Sequence, residues 1–174
     1  MNIKNLTIDP VTVLAPLAGI TNLPFRRIVK AAGCGLVCSE MISATGLVYG
    51  SVKTRAMLAS IPAEKPLSVQ IFGADPDIMT EAAKIVEASG ADILDVNCGC
   101  AVKKILKSGA GAALMKNSDV TKVILTRLRA AVQIPLTIKI RSGWDDSCED
   151  AFKIARITQD CGVDAITVHP RTAL

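Results

Sequence analysis

Short apolar runs alternate with amphipathic stretches of roughly 10 to 15 residues along the whole sequence, and this alternation limits the possible folds more than any other feature. The apolar runs have the length of strands and the amphipathic stretches the length of helices. Strands that are separated by helices pair in parallel. We therefore predict a parallel α/β fold with six strands, at residues 11–14, 36–39, 67–71, 93–96, 136–140 and 165–168.

Helices are predicted between these strands, because each amphipathic stretch starts with a capping residue or a proline in its first turn. The predicted helices begin near Asn22, Ala44, Pro76, Ser118 and Ser147. Three glycines follow the ends of the first, third and fifth helices, where a left-handed residue commonly terminates a helix. They are Gly33, Gly90 and Gly162.

Polar or small residues stand at the carboxyl end of nearly every predicted strand, where a buried core does not need them. They are Pro16, Ala18, Gly19, Glu40, Gln70, Asn97, Lys139, Arg141 and His169. In a TIM-type (β/α)8 barrel the carboxyl ends of all strands meet at one mouth, which holds the active site. Each residue has a simpler explanation when taken alone, for example a hydrogen-bonded core imidazole for His169. Their coincidence favours the barrel.

Composition excludes several classes of protein. The chain has 174 residues, half of them hydrophobic, and its mean hydropathy is +0.40, so we expect one domain with a sizeable core rather than a disordered chain. No apolar run approaches the roughly 18 residues of a membrane span, and the first residues contain no signal-peptide core. We therefore expect a cytoplasmic protein without a membrane partner. The net charge of +4 is compatible with an RNA partner but does not establish one.

Two of the six cysteines, Cys98 and Cys100, lie directly beyond the predicted strand at residues 93–96. We expect reduced thiols, because the chain carries no export signal. We expect no metal site, because the C-x-C pair has no second pair of ligands and the chain contains one histidine. Packing does not require an asparagine and two thiols at this position, so Asn97 and the cysteines indicate chemistry.

The segment at residues 95–104, DVNCGCAVKK, resembles the Asn-x-Gly-Cys-Pro signature of the tRNA-dihydrouridine synthases, with Ala101 in place of the proline. Four further motifs extend the likeness over essentially the whole chain, and the bacterial B-type branch is the most similar. They lie at residues 14–26 (LAPLAGITNLPFR), 69–73 (VQIFG), 109–115 (GAGAALM) and 138–145 (IKIRSGWD), and residues 166–169 (ITVH) complete the set. The ending after His169 departs from the His-Gly-Arg-Thr-Arg of the family.

The resemblance implies a (β/α)8 barrel of which residues 1–174 form the N-terminal portion, with about six of eight βα units. It also implies that the last barrel units and a helical RNA-binding domain are absent from this chain. The family uses NADPH to reduce FMN and then reduces a uridine in folded tRNA. Carried over to this sequence, the proton donor is Cys100, the residues at the flavin are Pro16, Leu17, Ala18, Gln70, Lys139 and His169, and the residues at the RNA substrate are Asn97, Lys103, Lys104 and Arg141.

The residue types suit this chemistry. A lysine such as Lys139 stabilises the negative charge of a reduced flavin, and a thiol with an ordinary pKa of about 8.5 keeps its proton at neutral pH and can donate it. Two alternatives remain at this level: Asn97 caps its loop instead of holding a base, and the lysines are ordinary solvated charges.

Two other functions stay open from the sequence. One is a dihydroorotate- or dihydropyrimidine-type dehydrogenase, which shares the barrel, FMN and pyrimidine chemistry; Lys103 and Lys104 favour the RNA enzyme over it. The other is a non-catalytic remnant that binds no flavin. Because six strands do not close a barrel, we also expect self-association through unpaired strand edges.

Overall fold

The computed structural model describes all 174 residues, with a parallel sheet whose strands alternate with helices. The strands are β1 (Asn2–Ile3), β2 (Leu6–Thr7), β3 (Val37–Ser43), β4 (Leu67–Phe72), β5 (Ile93–Cys98), β6 (Leu136–Gly143) and β7 (Ala165–Thr172). The helices are α1 (Leu23–Ala31), α2 (Ala44–Val48), α3 (Val52–Ala56), α4 (Pro76–Ala88), α5 (Lys103–Lys107), α6 (Ala113–Lys116), α7 (Ser118–Ala131) and α8 (Glu149–Asp160), and a 3₁₀ turn covers Pro62–Glu64.

The main sheet contains β3 to β7, and each strand is hydrogen-bonded in parallel to the strand that follows it in the sequence. Helices connect successive strands, so the order of strands in space equals their order in the chain. This is the topology of one arc of a (β/α) barrel. The predicted fold class is confirmed.

The predicted first strand, at residues 11–14, is wrong. The segment makes one isolated parallel bridge, between Val13 and Leu36, with the Leu14 N–H donating to the Leu36 carbonyl at 2.9 Å. Pro10 and Pro16 bracket it, and a proline has no N–H to extend a ladder. The sheet therefore has five strands instead of six, although this segment does lie beside β3, where the first strand of a barrel belongs.

Helix starts follow the predicted caps with one exception. The Asn22 side chain accepts a hydrogen bond from the Phe25 N–H at 3.1 Å and caps α1, and Ala44, Pro76 and Ser118 are the first residues of α2, α4 and α7. The exception is α8, which begins at Glu149: Cys148 holds the N-cap position without a side-chain hydrogen bond, and the Ser147 Oγ accepts only from the Glu149 N–H, at 3.4 Å. The sequence patterns missed α3, α5 and α6, which have only five, five and four residues.

The three predicted terminating glycines are confirmed as left-handed. Their φ angles are +93° at Gly33, +81° at Gly90 and +70° at Gly162. Each stands just beyond α1, α4 or α8, so the chain turns there without the strain that a side chain would bring.

The two faces of the sheet have different surroundings. The outer face packs against α4 and α7 in an apolar core of 25 buried residues. A smaller cluster on the other side, made by Ile3, Ile8, Leu36 and Ile93, lies where the β1–β2 hairpin covers the amino ends of β3 and β5. The rest of that inner face is free to carry polar side chains.

A buried ion pair holds the first loop of the chain in place. The Arg26 guanidinium donates to both carboxylate oxygens of Glu64, at 2.7 and 3.1 Å, and to the carbonyls of Thr21 and Ala59. Arg26 is 2% exposed and Glu64 0% exposed. Through these four hydrogen bonds, the pair fastens the segment that precedes α1 to the segment that precedes β4.

The structure also describes the helices, the cysteines and the grouping of metal-binding residue types. No helix is both long and apolar enough to cross a membrane. All six cysteines are free thiols, and no group of three or more His, Cys, Asp or Glu side chains is placed to hold a metal ion.

Candidate active site

A row of polar side chains lies on the inner face of the sheet, along the middle of β4, β5 and β6. The strand register places Gln70 beside Asp95 and Asp95 beside Thr137. Asn97 and Lys139 are paired two residues further along, and residues two apart on a strand share a face. The structure therefore brings together Gln70, Asn97 and Lys139, as predicted, and adds Asp95 and Thr137.

Hydrogen bonds join most of this row to the loop that follows β5. The Gln70 amide nitrogen donates to Asp95 Oδ2 at 2.6 Å, and the Asn97 amide nitrogen donates to Gln70 Oε1 at 2.7 Å. The Asn97 oxygen accepts from the N–H groups of Gly99 and Cys100, at 3.2 and 3.0 Å. We call this set of hydrogen bonds the Asp95 series, and residues 99–102 the Cys100 loop.

Two charged groups occupy this interior, Asp95 and Lys139. Burial raises the pKa of the Asp95 carboxyl, and hydrogen bonds from Thr137 and Gln70 and the charge of Lys139 oppose that rise. Burial lowers the pKa of the Lys139 ammonium, against the attraction of Asp95 and together with the repulsion of Arg141. Each of the two charges thus favours the ionised form of the other.

Cys100 is half-buried, and its backbone is held from two sides. Its N–H donates to Asn97, and its carbonyl accepts from the Ala112 N–H at 2.9 Å. Gly111 makes the second contact possible: its φ is +63°, and a Cβ there would lie 2.5 Å from the Cys100 carbonyl oxygen. The GAGAALM motif therefore supports the Cys100 loop, a role that its sequence did not indicate.

Cys98 has the opposite environment. It is 0% exposed and belongs to the apolar core on the outer face of the sheet. Burial, followed by the negative charge of Asp95, raises the pKa of the Cys98 thiol far above its ordinary value. Of the two thiols in the C-x-C pair, only Cys100 is accessible to a substrate.

Arg141 braces the same loop. Its Nε donates to the Gly99 carbonyl and its Nη1 to the Thr172 carbonyl, both at 2.6 Å. The guanidinium thereby ties the Cys100 loop to the end of β7. The sequence predicted a substrate contact for Arg141; the structure gives it a bracing role, and the contact with RNA remains a prediction.

The sequence left two roles open for Asn97, and the hydrogen bonds identify one of them. Both ends of its amide are engaged inside the protein, the oxygen by the Cys100 loop and the nitrogen by Gln70. Asn97 caps the loop. Its contact with a substrate base stays a prediction.

A cavity of about 230 Å³ opens on the inner face and contains two of the predicted flavin residues, Pro16 and Lys139. Asp95, Thr137 and Cys38 line it as well. Leu17 and Ala18 lie outside it on an exposed loop, whose Gly19 N–H donates to the Glu40 carboxylate. The loop is thus anchored to β3, at the edge of the sheet where the predicted residues meet.

His169 lies on β7 in register with Arg141. Its pKa is lowered, by desolvation first and then by the positive charges of Lys139, Arg141 and Arg171. A neutral imidazole at neutral pH can both donate and accept a hydrogen bond. The structure thus places His169 on the strand next to Lys139, as the strand-end pattern predicts.

Lys103 and Lys104 are exposed on the first turn of α5, directly after the Cys100 loop. Lys107, at the end of the same short helix, is exposed too. These lysines place positive charge on the helix that follows the loop. Their accessibility suits phosphate contacts, although exposed lysines also suit plain solvation.

The sequence patterns missed Asp95 and Thr137 as members of the site. An aspartate inside the apolar run ILDV is a signal, because a buried carboxylate needs partners. The partners themselves are 25 and 42 residues away in the chain, at Gln70 and Thr137. No local pattern reveals such distant contacts.

A family model, a solved structure and several curated proteins are similar to this chain. The family model described as "Dihydrouridine synthase (Dus)" matches residues 13–174. A solved structure of the carboxyl transferase domain of Rhizobium etli pyruvate carboxylase, a variant with pyruvate, is similar with a TM-score of 0.58 and 21% identity, over 89% of this chain and 26% of that chain. At this identity the structural likeness concerns the fold alone.

Curated relatives share much more of the sequence. The chain is 42% identical over 172 residues to the tRNA-dihydrouridine synthase B of Xanthomonas campestris pv. campestris, covering 99% of this chain and 52% of that protein. It is 44% identical over 160 residues to the Escherichia coli K12 protein of the same name, covering 92% and 50%. The chain spans about half the length of these relatives. A family model that matches nearly all of the sequence, and the resemblance carried by the same motifs, lead to one conclusion: the chain belongs to the dihydrouridine synthase family.

Proposed function

We propose that this chain supplies part of the catalytic domain of an enzyme that reduces uridine in tRNA to 5,6-dihydrouridine. Family membership and the activity for which the relatives are named support the proposal. The observation that carries it is the contrast between two thiols. Cys100 is half-buried on a braced loop beside the inner polar row, whereas Cys98 is enclosed in the core.

Cys100 is the proton donor in this proposal. Reduction of the uracil C5–C6 double bond requires a hydride at one carbon and a proton at the other. The Cys100 thiol supplies the proton, while Asn97 and Arg141 hold its loop against β5 and β7. The target base must leave the RNA stack to reach the thiol.

FMN, reduced by NADPH, is the cofactor that we propose, and when bound it supplies the hydride. The donor set on the inner face fits its flat ring and polar edge: Ala15 and Pro16 offer an apolar wall in the cavity that Lys139 also lines. Lys139 is partly desolvated, and a desolvated ammonium stabilises negative charge more strongly than a solvated one. The residues assigned to the cofactor are Pro16, Leu17, Ala18, Gln70, Lys139 and His169.

The RNA partner is assigned to the positive surface beside the thiol. Lys103 and Lys104 are exposed next to the Cys100 loop, and lysines that meet phosphates position RNA without reading its sequence. Arg141 and Asn97 keep their predicted places near the substrate, with the loop contacts described above as their first task.

A chimera tests the proposal, because the relatives are about twice as long as this chain. Residues 1–174 are joined to the remaining half of the Escherichia coli relative and supplied with FMN, NADPH and unmodified tRNA. We expect dihydrouridine to form. Cys100→Ala should lower uridine reduction by about 10² or more and leave NADPH-driven flavin reduction intact.

Cys98→Ala is the matched control and should have a mild effect. Equal losses from the two substitutions would contradict the assignment of Cys100. Oxidation of dihydroorotate by the chimera, without uridine reduction, would instead support the dehydrogenase alternative, and a colourless, inactive chimera the non-catalytic one.

A further inference from the structure

The hydrogen bonds of the Asp95 series all donate in one direction. At the loop end, the backbone N–H groups of Gly99 and Cys100 can only donate, so Asn97 must turn its oxygen toward them and its NH₂ group toward Gln70. Gln70 then has its own NH₂ group left for Asp95, which accepts. Every hydrogen bond in the series therefore donates toward Asp95.

Asp95 suits the end of such a series, because an ionised carboxylate accepts and never donates. Its second oxygen is occupied by the Thr137 hydroxyl at 2.6 Å, and the side chain is buried. No water-exposed orientation competes with these contacts. An apolar residue at this position would leave the buried Gln70 NH₂ group without a partner, so the orientation that the loop N–H groups favour would lose its anchor at the other end of the series.

The other titratable groups near Asp95 leave this arrangement in place. Cys38 faces it from β3, and burial and then the Asp95 charge raise the pKa of that thiol to about 12. Cys98, which lies on the same strand as Asp95, also stays a neutral thiol, because burial and the Asp95 charge raise its pKa. Lys139, from β6, favours the ionised carboxylate through its charge.

We propose that Asp95 is a positioning residue: by accepting from Gln70 it holds two amide side chains in the orientation that the loop N–H groups require and, through them, steadies the backbone of the Cys100 loop. Asp95 reaches the thiol only through Gln70 and Asn97. Its value for catalysis rests on the function proposed above for Cys100, whereas its control of the loop does not.

The test uses the 174-residue chain and two readouts, residue-resolved hydrogen exchange and the rate at which iodoacetamide alkylates Cys100, followed by mass spectrometry. Asp95→Leu removes the acceptor at similar volume. We expect the Gly99 and Cys100 amides to exchange about fivefold faster, the factor that one hydrogen bond of ordinary net strength provides, and the alkylation of Cys100 to accelerate with them.

Asp95→Asn should restore both readouts, because its oxygen can face Gln70 while its NH₂ group faces the Thr137 hydroxyl. Thr137→Val is the matched control: it removes the other hydrogen bond of Asp95 and leaves the series to the loop intact. Exchange and alkylation should then equal those of the unmodified chain.

Gln70→Met interrupts the series one step nearer the loop and gives the same expected result if Asp95→Leu does not fold. Unchanged exchange at Gly99 and Cys100 in either folded variant would overturn the proposal, and so would equal acceleration in Thr137→Val. Neither readout needs FMN or tRNA, so failure here is distinct from failure of uridine reduction.

Discussion

The two faces of β5 carry different chemistry on one backbone. Leu94, Val96 and Cys98 point outward into the apolar core, whereas Asp95 and Asn97 point inward and bond to neighbouring strands and to the Cys100 loop. Strand residues alternate between faces, so a single six-residue strand contributes to both the core and the site.

Burial has opposite consequences on the two faces. Outside, it encloses Cys98 and raises its pKa, so a reactive group becomes part of the packing. Inside, it is accompanied by hydrogen bonds and by an opposite charge, so Asp95 keeps its partners and Lys139 remains beside the cavity. Partners, more than burial itself, distinguish a site from a core.

The largest expected difference between the faces concerns their thiols. Cys100 should be alkylated in the native chain, but Cys98 only when the sheet opens. A domain stability of about 5 kcal/mol keeps the open population below about one in a thousand, so Cys98 should react roughly 10³-fold more slowly than Cys100. Peptide mass spectrometry after a timed iodoacetamide pulse measures both rates.

Urea provides the control for this comparison, because unfolding exposes both thiols and their rates should then become similar. Comparable rates for Cys98 and Cys100 in the native chain would show that the outer face is not closed.

A truncation on the outer face should have the next largest effect. Leu94→Ala leaves a cavity in the core and should lower the free energy of unfolding by about 2 to 5 kcal/mol. Thr137→Val, the inner-face control, removes one hydrogen bond and should cost about 1 kcal/mol. Urea denaturation monitored by circular dichroism compares the two, and equal costs would argue against a division of labour between the faces.

Sequence patterns predicted this molecule well where the deciding interactions are local. The apolar runs at residues 67–71, 93–96, 136–140 and 165–168 continue through β4 to β7, and the strand-end rule brought Gln70, Asn97 and Lys139 to one place. Residues 11–14 were predicted as a strand because they form an apolar run. The segment between Pro10 and Pro16 makes only one isolated bridge, so it does not become a strand of the sheet.

The supports of the site were not predictable in the same way. Arg141 reaches carbonyls that are 42 and 31 residues away in sequence, and Gly111 makes room for the Cys100 carbonyl across a helix and a turn. Such contacts depend on the finished fold. A residue type near a strand end indicates a site, but which atoms it holds follows only from the tertiary structure.

The buried charge at Asp95 predicts a pH dependence of stability. Because the folded state raises the pKa of Asp95, the folded chain binds the proton more tightly, and the cost of the charge appears as pH rises above the unfolded value of about 3.9. Asp95→Asn removes this cost. At pH 7 the variant should be at least as stable as the unmodified chain, by about 1.4 kcal/mol for each unit of the net rise, which already includes the attraction to Lys139.

Below about pH 4 this advantage should disappear, because Asp95 is then protonated in both states. Urea denaturation of both proteins between pH 4 and pH 8 measures the difference, in which other titrating groups largely cancel. An advantage that grows as the pH falls has the wrong sign and would mean that the Asp95 charge stabilises the fold.

The smallest expected effect separates folding from function at Lys139. Burial lowers the pKa of this ammonium, so its charge does not stabilise the fold, and Lys139→Met should leave the unfolding midpoint unchanged or raise it slightly. In the chimera, the same substitution should weaken FMN binding roughly tenfold, as expected for one lost charge-assisted hydrogen bond, or shift the flavin potential to more negative values because the reduced form loses a nearby positive charge. Fluorescence titration and a redox titration measure the two quantities.

Lys53→Met, on the exposed helix α3, is the matched control and should change neither. If Lys139→Met leaves both the FMN affinity and the flavin potential unaltered, Lys139 does not belong to the cofactor site and has another role on the inner face.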